Sequence, residues 1–242
     1  MCAQTRPSSA YSVIAWGGGA VFVISLLWFL FCYLVRFESA PPDGSAFRSV
    51  SQDVAMFSVF ALHHSAFART GVKEWVKHRA PPELERSLYT WVASVLFLIV
   101  CTWWRPVSGT VYRLDGMVAV AAYALQAVGL VVTIRAAAAL DVLDLAGVRL
   151  VQLARSGAPP RRVALETHGL YGFVRHPLYL GWALLVCAAP AMPMTRALFA
   201  LVSTGYLAVA IPWEERSLIE CFGSDYDAYR RRVRWRMIPY VY

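Results

Sequence analysis

The chain has 242 residues, 58% of them hydrophobic and only 16% charged, with a mean hydropathy of +0.49. That balance excludes an ordinary soluble domain and points to an integral membrane protein surrounded by membrane lipid. The formal charge of +8 does not signal a nucleic-acid partner, because Arg and Lys fall between apolar runs instead of forming one basic face.

A bilayer core about 30 Å thick takes roughly 20 residues of helix. The N-terminus holds one basic residue, Arg6, and the apolar run after it has no small-residue cleavage site, so no signal peptide is expected. The first predicted span is about 11–35, with Gly17-Gly18-Gly19 offering a close helix contact. A second, about 49–68, is interrupted by Gln52, Asp53, His63 and His64, which must face protein or water, so this helix belongs inside the bundle. The third and fourth cover about 87–104 and 116–134. The fifth, about 177–193, carries Pro190 and Pro193 and is kinked or leaving the membrane at its far end. The sixth, about 197–213, ends at Glu214-Glu215. Six spans are expected, or five if one of the last two does not cross.

Counting Lys and Arg in alternate segments gives 18 on one side and 5 on the other. The side with 18 is cytoplasmic by the positive-inside rule, and six spans put both termini there, in a multi-pass arrangement. Five cysteines, Cys2, Cys32, Cys101, Cys187 and Cys221, show no metal-ligand spacing. They are expected to be small buried hydrophobes, although Cys32 and Cys101 fall near the same set of helix ends.

The chain divides into 1–134, the first four membrane helices, and 135–242, a connector, a helical hairpin and a tail. In the connector the Ala-rich start and Leu140-Asp141-Val142-Leu143-Asp144-Leu145 are expected to extend the fourth helix, Val148 to Ala154 is amphipathic, and Ser156-Gly157-Ala158-Pro159-Pro160 is a break. So long a segment between spans suggests a lid or a cofactor-docking element, against a plain connector at the lipid surface.

Chemistry is expected at the base of the hairpin. Arg175-His176-Pro177 opens one apolar run, with proline in the first helical turn and Tyr179 one turn along the same face. Glu214-Glu215 closes the next run, where two carboxylates at a helix C-terminus oppose the helix dipole and call for a positive partner. Arg175, His176, Arg216 or a cationic ligand can supply it. Phe222-Gly223-Ser224-Asp225-Tyr226-Asp227-Ala228-Tyr229-Arg230 follows.

Together these stretches resemble the integral-membrane methyltransferases that include isoprenylcysteine carboxyl methyltransferase, phospholipid methyltransferases and NnrU-like proteins. The shared pattern, roughly GxYxxxRHPxYxG, EExxL and FGxxYxxY, stands at Gly169 to Gly181, Glu214 to Leu218 and Phe222 to Tyr229. Within that group the sequence is most similar to bacterial methanethiol S-methyltransferases. That likeness rests on His64-Ser65, Ala68-Arg69, Glu85-Arg86-Ser87-Leu88-Tyr89, Trp104-Arg105-Pro106, Asp144-Leu145-Ala146-Gly147-Val148-Arg149 and Pro190-Ala191-Met192. It departs from the subgroup at Ala188-Ala189 and Arg196, which bears on the acceptor.

The resemblance implies an all-α polytopic membrane bundle, sited in a bacterial inner membrane, with a cytoplasmic S-adenosylmethionine site. His168, Leu170 and Tyr171 would lie along the cofactor. Arg175 and His176 would order the site and reach its carboxylate end. Glu214 and Glu215 would hold its ammonium or a ribose hydroxyl, and Tyr179 would border the transferred methyl. The acceptor implied is a small or lipophilic thiol, methanethiol going to dimethyl sulfide. The alternatives are a prenylcysteine carboxylate, a phospholipid amine or a non-catalytic NnrU-like role. A thiol near pKa ~8.5 is helped by a base, for which His64, Glu214 and His176 are candidates, with His64 at the family position. The other reading of His64 is a hydrogen-bonded core histidine. No metal site is expected, and the oligomeric state is not encoded in any motif.

Overall fold

A computed structural model describes residues 8–39, 44–67, 70–158 and 164–242. Cys2, Arg6, the Ala68-Arg69 pair and the Pro159-Pro160 break lie outside those residues. Helix α1 (Ser9–Phe31) runs on through a π-helical turn, Cys32–Arg36, into α2 (Phe37–Ser39). Next come α3 (Ala46–Phe67), α4 (Thr70–Lys77), α5 (Glu85–Trp103), strand β1 (Thr110–Arg113) and α6 (Gly116–Ala139). The connector forms α7 (Val142–Leu145) and α8 (Arg149–Ser156). Helix α9 (Pro177–Cys187), strand β2 (Ala191–Pro193), α10 (Met194–Phe222) and α11 (Ser224–Arg232) complete an all-α bundle with one two-stranded ribbon.

Four segments, Ser9–Arg36, Pro82–Trp103, Gly116–Ala139 and Met194–Phe222, are long and apolar enough to cross a membrane. Helix α3 is about 33 Å long at 1.5 Å per residue but more polar. Its polar side chains do turn inward: Asp53 is fully buried, and its Oδ1 accepts the Arg105 backbone N–H at 2.8 Å.

Three boundaries differ from the sequence reading. Helix α6 ends at Ala139, because Asp141 at φ 66° turns the chain and caps α7 instead of letting α6 run on through Leu145. Helix α10 does not stop at the Glu pair but continues to Phe222, so the carboxylates are internal and the dipole argument does not apply to them. Helix α9 stops at Cys187, short of Pro193, because Ala191–Pro193 leaves the helix to pair antiparallel with β1. Ending a helix among apolar neighbours exposes its last four carbonyls, and each finds a donor here. Leu184 O accepts from Ala188 N, Leu185 O from Gln126 Nε2 at 2.9 Å, Val186 O from Tyr33 Oη, and Cys187 O from Tyr112 Oη at 3.2 Å. Arg196, at the start of α10, satisfies the π turn: Nε donates to Tyr33 O at 2.8 Å and Nη2 to Leu34 O at 2.7 Å.

Helices α6 and α9 cross at glycines. A Cβ on Gly129 would lie 2.6 Å from Leu185 N, and one on Gly181 would lie 2.6 Å from Thr133 N, so the two backbones touch where no side chain fits. The connector is not a loose link. Gly147, at φ 75°, brings its backbone against Ser87, whose hydroxyl donates to Gly147 O, and Arg86 Nε donates to Asp144 O at 2.7 Å. Two of the subgroup stretches are therefore one joint. Val151 of α8 then packs with Ala15 and Leu84. Cys32 and Cys101 are buried free thiols, as expected of small hydrophobes, whereas Cys187 and Cys221 are free and exposed, contrary to that expectation.

Gly129→Val is expected to separate α6 from α9 and cost about 1–3 kcal/mol of stability, seen as a lower thermal midpoint in detergent. Gly205→Ala, with nothing within 4 Å of the added carbon, is the matched control and should hold or raise that midpoint.

Candidate functional site

Proline at the first position of α9 holds Arg175 and His176 just outside the helix, and α10 brings Glu214 and Glu215 alongside them. The two motifs meet directly. Arg175 Nε lies 2.6 Å from Glu215 Oε1, and both side chains are buried, at 5% exposure each. The same carboxylate lies 3.3 Å from Arg236 Nε and 3.5 Å from His176 Nε2.

The C-terminal segment closes this corner. Arg175 Nη1 donates to Val233 O at 2.7 Å and to Arg234 O at 2.8 Å. The backbone nitrogens of Arg175 and His176 donate to Trp235 O and Arg236 O at 2.9 and 2.8 Å. Pro212 inside α10 has no N–H for the Ala208 carbonyl, and Tyr242 Oη takes its place at 3.1 Å. The strap is thus tied to both helices of the hairpin.

Glu214 is on the open side of the corner, its side chain 44% exposed. Its Oε2 accepts from Tyr179 Oη at 2.7 Å and lies 3.7 Å from His176 Nδ1. The rings of His176 and Tyr179 stack, with centroids 5.4 Å apart and planes 8° apart. His176 Nε2 is buried with no hydrogen-bond partner.

The other predicted residues surround this corner. Gly169–Gly172 is a 3-10 turn in which Tyr171 is buried, its Oη donating to Ala136 O at 3.3 Å. Tyr229 Oη donates to Tyr171 O at 2.7 Å, fixing the turn to α11. Burial pushes the Tyr229 phenol up to about 12, and it raises those of Tyr171 and Tyr226 as well, so all three stay protonated and Tyr171 and Tyr229 keep their donor role. Leu170 is half-buried, whereas the His168 side chain is 90% exposed and its backbone N–H bonds Glu166 at 2.8 Å. An open groove of about 490 Å³ runs beside this turn, lined by Leu165, Thr167, Phe222, Asp225, Tyr229 and Arg232 among others.

His64 reaches the same end of the bundle from α3. Its Nδ1 lies 2.7 Å from Tyr89 Oη, and Ser65 Oγ lies 2.9 Å from Tyr206 Oη. Tyr89, Tyr179, Tyr206 and Glu214 are all within electrostatic range of one another. Sequence reasoning did not single out Tyr89, Tyr206, Arg236 or Tyr242. Tyr89 stood inside a quoted stretch and Tyr206 was a lone phenol in an apolar run. Arg236 and Tyr242 carried no signal, since their role depends on the tail folding back.

The subgroup departures lie elsewhere. Arg196 is roughly 27 Å along α10 from Glu214 at 1.5 Å per residue, and its remaining contacts are Ala191 O and Glu38.

A methanethiol S-methyltransferase of Mycobacterium tuberculosis is 36% identical over 195 residues, covering 80% of this chain and 79% of that protein. Methanethiol S-methyltransferase 2 of Bradyrhizobium diazoefficiens is 32% identical over 225 residues, 92% of this chain and 86% of that one. A protein-S-isoprenylcysteine O-methyltransferase of Schizosaccharomyces pombe is 38% identical over 72 residues, 28% of this chain and 30% of the relative. No family model and no solved structure matches the chain.

Removing one partner of a buried, hydrogen-bonded ion pair strands the other. Arg175→Ala should therefore cost about 3–5 kcal/mol and free residues 233–236, read as faster tryptic cleavage after Arg234 and Arg236. Unchanged protection of those bonds would contradict the strap's dependence on Arg175.

Proposed function

The chain belongs to the methanethiol S-methyltransferases, a family of membrane enzymes, and from that membership we propose that it moves a methyl group from S-adenosylmethionine to methanethiol, giving dimethyl sulfide. The observation that carries the donor half is the meeting of the Arg-His corner with the Glu pair, which leaves one carboxylate committed and the other open. In this reading the protein sits in a bacterial inner membrane with the corner and both termini on the cytoplasmic side. The basic residues at the corner's end of the bundle support that orientation.

S-adenosylmethionine, when bound, supplies an electrophilic methyl on a sulfonium next to an amino-acid tail and a nucleoside. The residues at the corner fit such a group. Glu214 is the carboxylate left for the ammonium or a ribose hydroxyl, and Tyr179 holds it in place through Oε2. The stacked His176 and Tyr179 rings give a flat, electron-rich wall suited to a sulfonium, with His176 Nε2 turned toward Glu215 at 3.5 Å. Arg175 and Glu215 spend their hydrogen bonds on each other and on the strap. They act by ordering the site, with the charge of Arg175 and Arg236 favouring the donor's carboxylate end. The groove that suits the nucleoside is lined by Thr167, next to His168 in the chain, and by Tyr229, which is bonded to Tyr171 of the turn that also holds Leu170. Residues 135–242 thus form the donor side, while α3 and α5 supply the acceptor side.

Holding donor and acceptor in contact away from water is the main source of rate in a direct transfer. A thiol must also lose its proton, and His64 is the base we favour. Its Nδ1 lies 2.7 Å from Tyr89 Oη, and in the tautomer that carries the proton on Nδ1 the basic nitrogen is Nε2.

Glu214→Gln is expected to weaken S-adenosylmethionine binding by about 1.5–3 kcal/mol, tenfold or more in Kd by calorimetry. Cells expressing it and fed methanethiol should release correspondingly less dimethyl sulfide than wild type. Wild-type affinity in the variant, or no dimethyl sulfide from wild type above an empty vector, refutes the proposal.

A further inference from the structure

Beside the donor corner lies a cavity lined in part by the Glu85-Arg86-Ser87-Leu88-Tyr89 stretch. It measures about 220 Å³ and is partly open. One face of α5 lines it, because Glu85, Leu88, Tyr89 and Val92 recur at helical spacing. His63 and Phe67, one turn apart on α3, form a second wall, and Val76 of α4 a third. The lining is apolar apart from His63, Glu85 and the Tyr89 hydroxyl.

We infer that this cavity is the chamber that admits the methyl acceptor and limits it to small uncharged thiols, an assignment that rests on the thiol-methyltransferase reading above. Size is the first reason. The volume is below the ~300–1,000 Å³ clefts that hold drug-sized ligands, yet ample for a thiol of two or three heavy atoms, given that liquid water takes ~30 Å³ per molecule. A long prenyl chain does not fit within it.

Chemistry is the second reason. His63 lines the chamber, and its Nδ1 is buried without a hydrogen-bond partner, so the ring is a polar group left unsatisfied at an otherwise apolar wall, suited to a weakly polar S–H guest. The third is continuity. The Tyr89 ring lines the chamber and stacks on His63 at 5.7 Å, while its hydroxyl bonds His64 and lies within electrostatic range of Glu214. One side chain therefore joins the chamber to the donor corner.

The mouth also suits a lipid-soluble guest. Leu88 and Val92 are exposed on the bundle's outer face at 36% and 46%. Helix α4 alternates apolar Val72, Trp75 and Val76 with Lys73 and Glu74, the pattern of a helix lying in the membrane interface. Trp75 is exposed, and the Arg79 guanidinium lies 4.1 Å from its ring, an arrangement that suits the headgroup level.

Filling the chamber tests the assignment. Leu88→Trp and Val92→Trp should each raise KM for methanethiol about tenfold or more with kcat little changed, the pattern of lost ground-state binding. S-adenosylmethionine affinity and thermal midpoint should remain at wild-type values, and Val92→Trp, at the open mouth, stands in if Leu88→Trp does not fold. Leu88→Ala should do the reverse and improve kcat/KM for propanethiol relative to methanethiol. Folded, donor-binding Trp variants with unchanged KM would overturn the chamber while leaving the enzyme reading intact. A wild type that binds donor but methylates no thiol would overturn the enzyme reading itself.

Discussion

The structure depends on a carboxylate placed where it cannot stand alone. Glu215 is buried, and an unpaired charge there would cost several kcal/mol, so the fold surrounds it with Arg175, Arg236 and His176. These partners come from two places in the chain, the start of α9 and the C-terminal tail, and bringing them to Glu215 forces the helix start, the helix interior and the tail to one point. The pair earns little net stability by itself, but it fixes the relative position of α9, α10 and the strap. Its consequence is local: with Glu215 neutralised, Glu214 is the acid that faces outward beside Tyr179 and His176.

A second constraint comes from the apolar surroundings, which leave no water for stray backbone groups. Helix α9 is too short to cross a bilayer at about 1.5 Å per residue, and the chain continues through an irregular bend at 188–190 into the extended Ala191–Pro193. That is tolerated because the carbonyls at its end meet Gln126, Tyr33 and Tyr112, and Arg196 binds those of the π turn. The far end of the bundle is therefore polar for structural reasons. Arg196, which looks out of place against the subgroup, belongs to this scaffold and is remote from the corner.

Much of this was written in the sequence where a local rule applied. The Arg-His-Pro start, the apolar runs and the inward polar face of α3 follow from proline geometry and the cost of polar groups in lipid. Helix α10 was read as ending at the Glu pair because charge normally marks the water boundary, yet paired charge does not, and the helix runs on. The short α9 was only half legible: Pro190 and Pro193 announced a break, but the donors that permit it lie on the π turn after α1, on α6 and on β1. Arg236, Tyr242 and the His63 chamber were invisible, since each depends on contacts between segments far apart in sequence.

The central claim is that the open side of the Arg175–Glu215 corner receives the donor. A structure of the protein in lipid nanodiscs with S-adenosylhomocysteine bound tests it most directly. The account predicts the thioether sulfur in contact with the Tyr179 ring, the amino group on Glu214, and Arg175 still paired with Glu215. A ligand bound away from α9 and α10, with Glu214 unengaged, would contradict it.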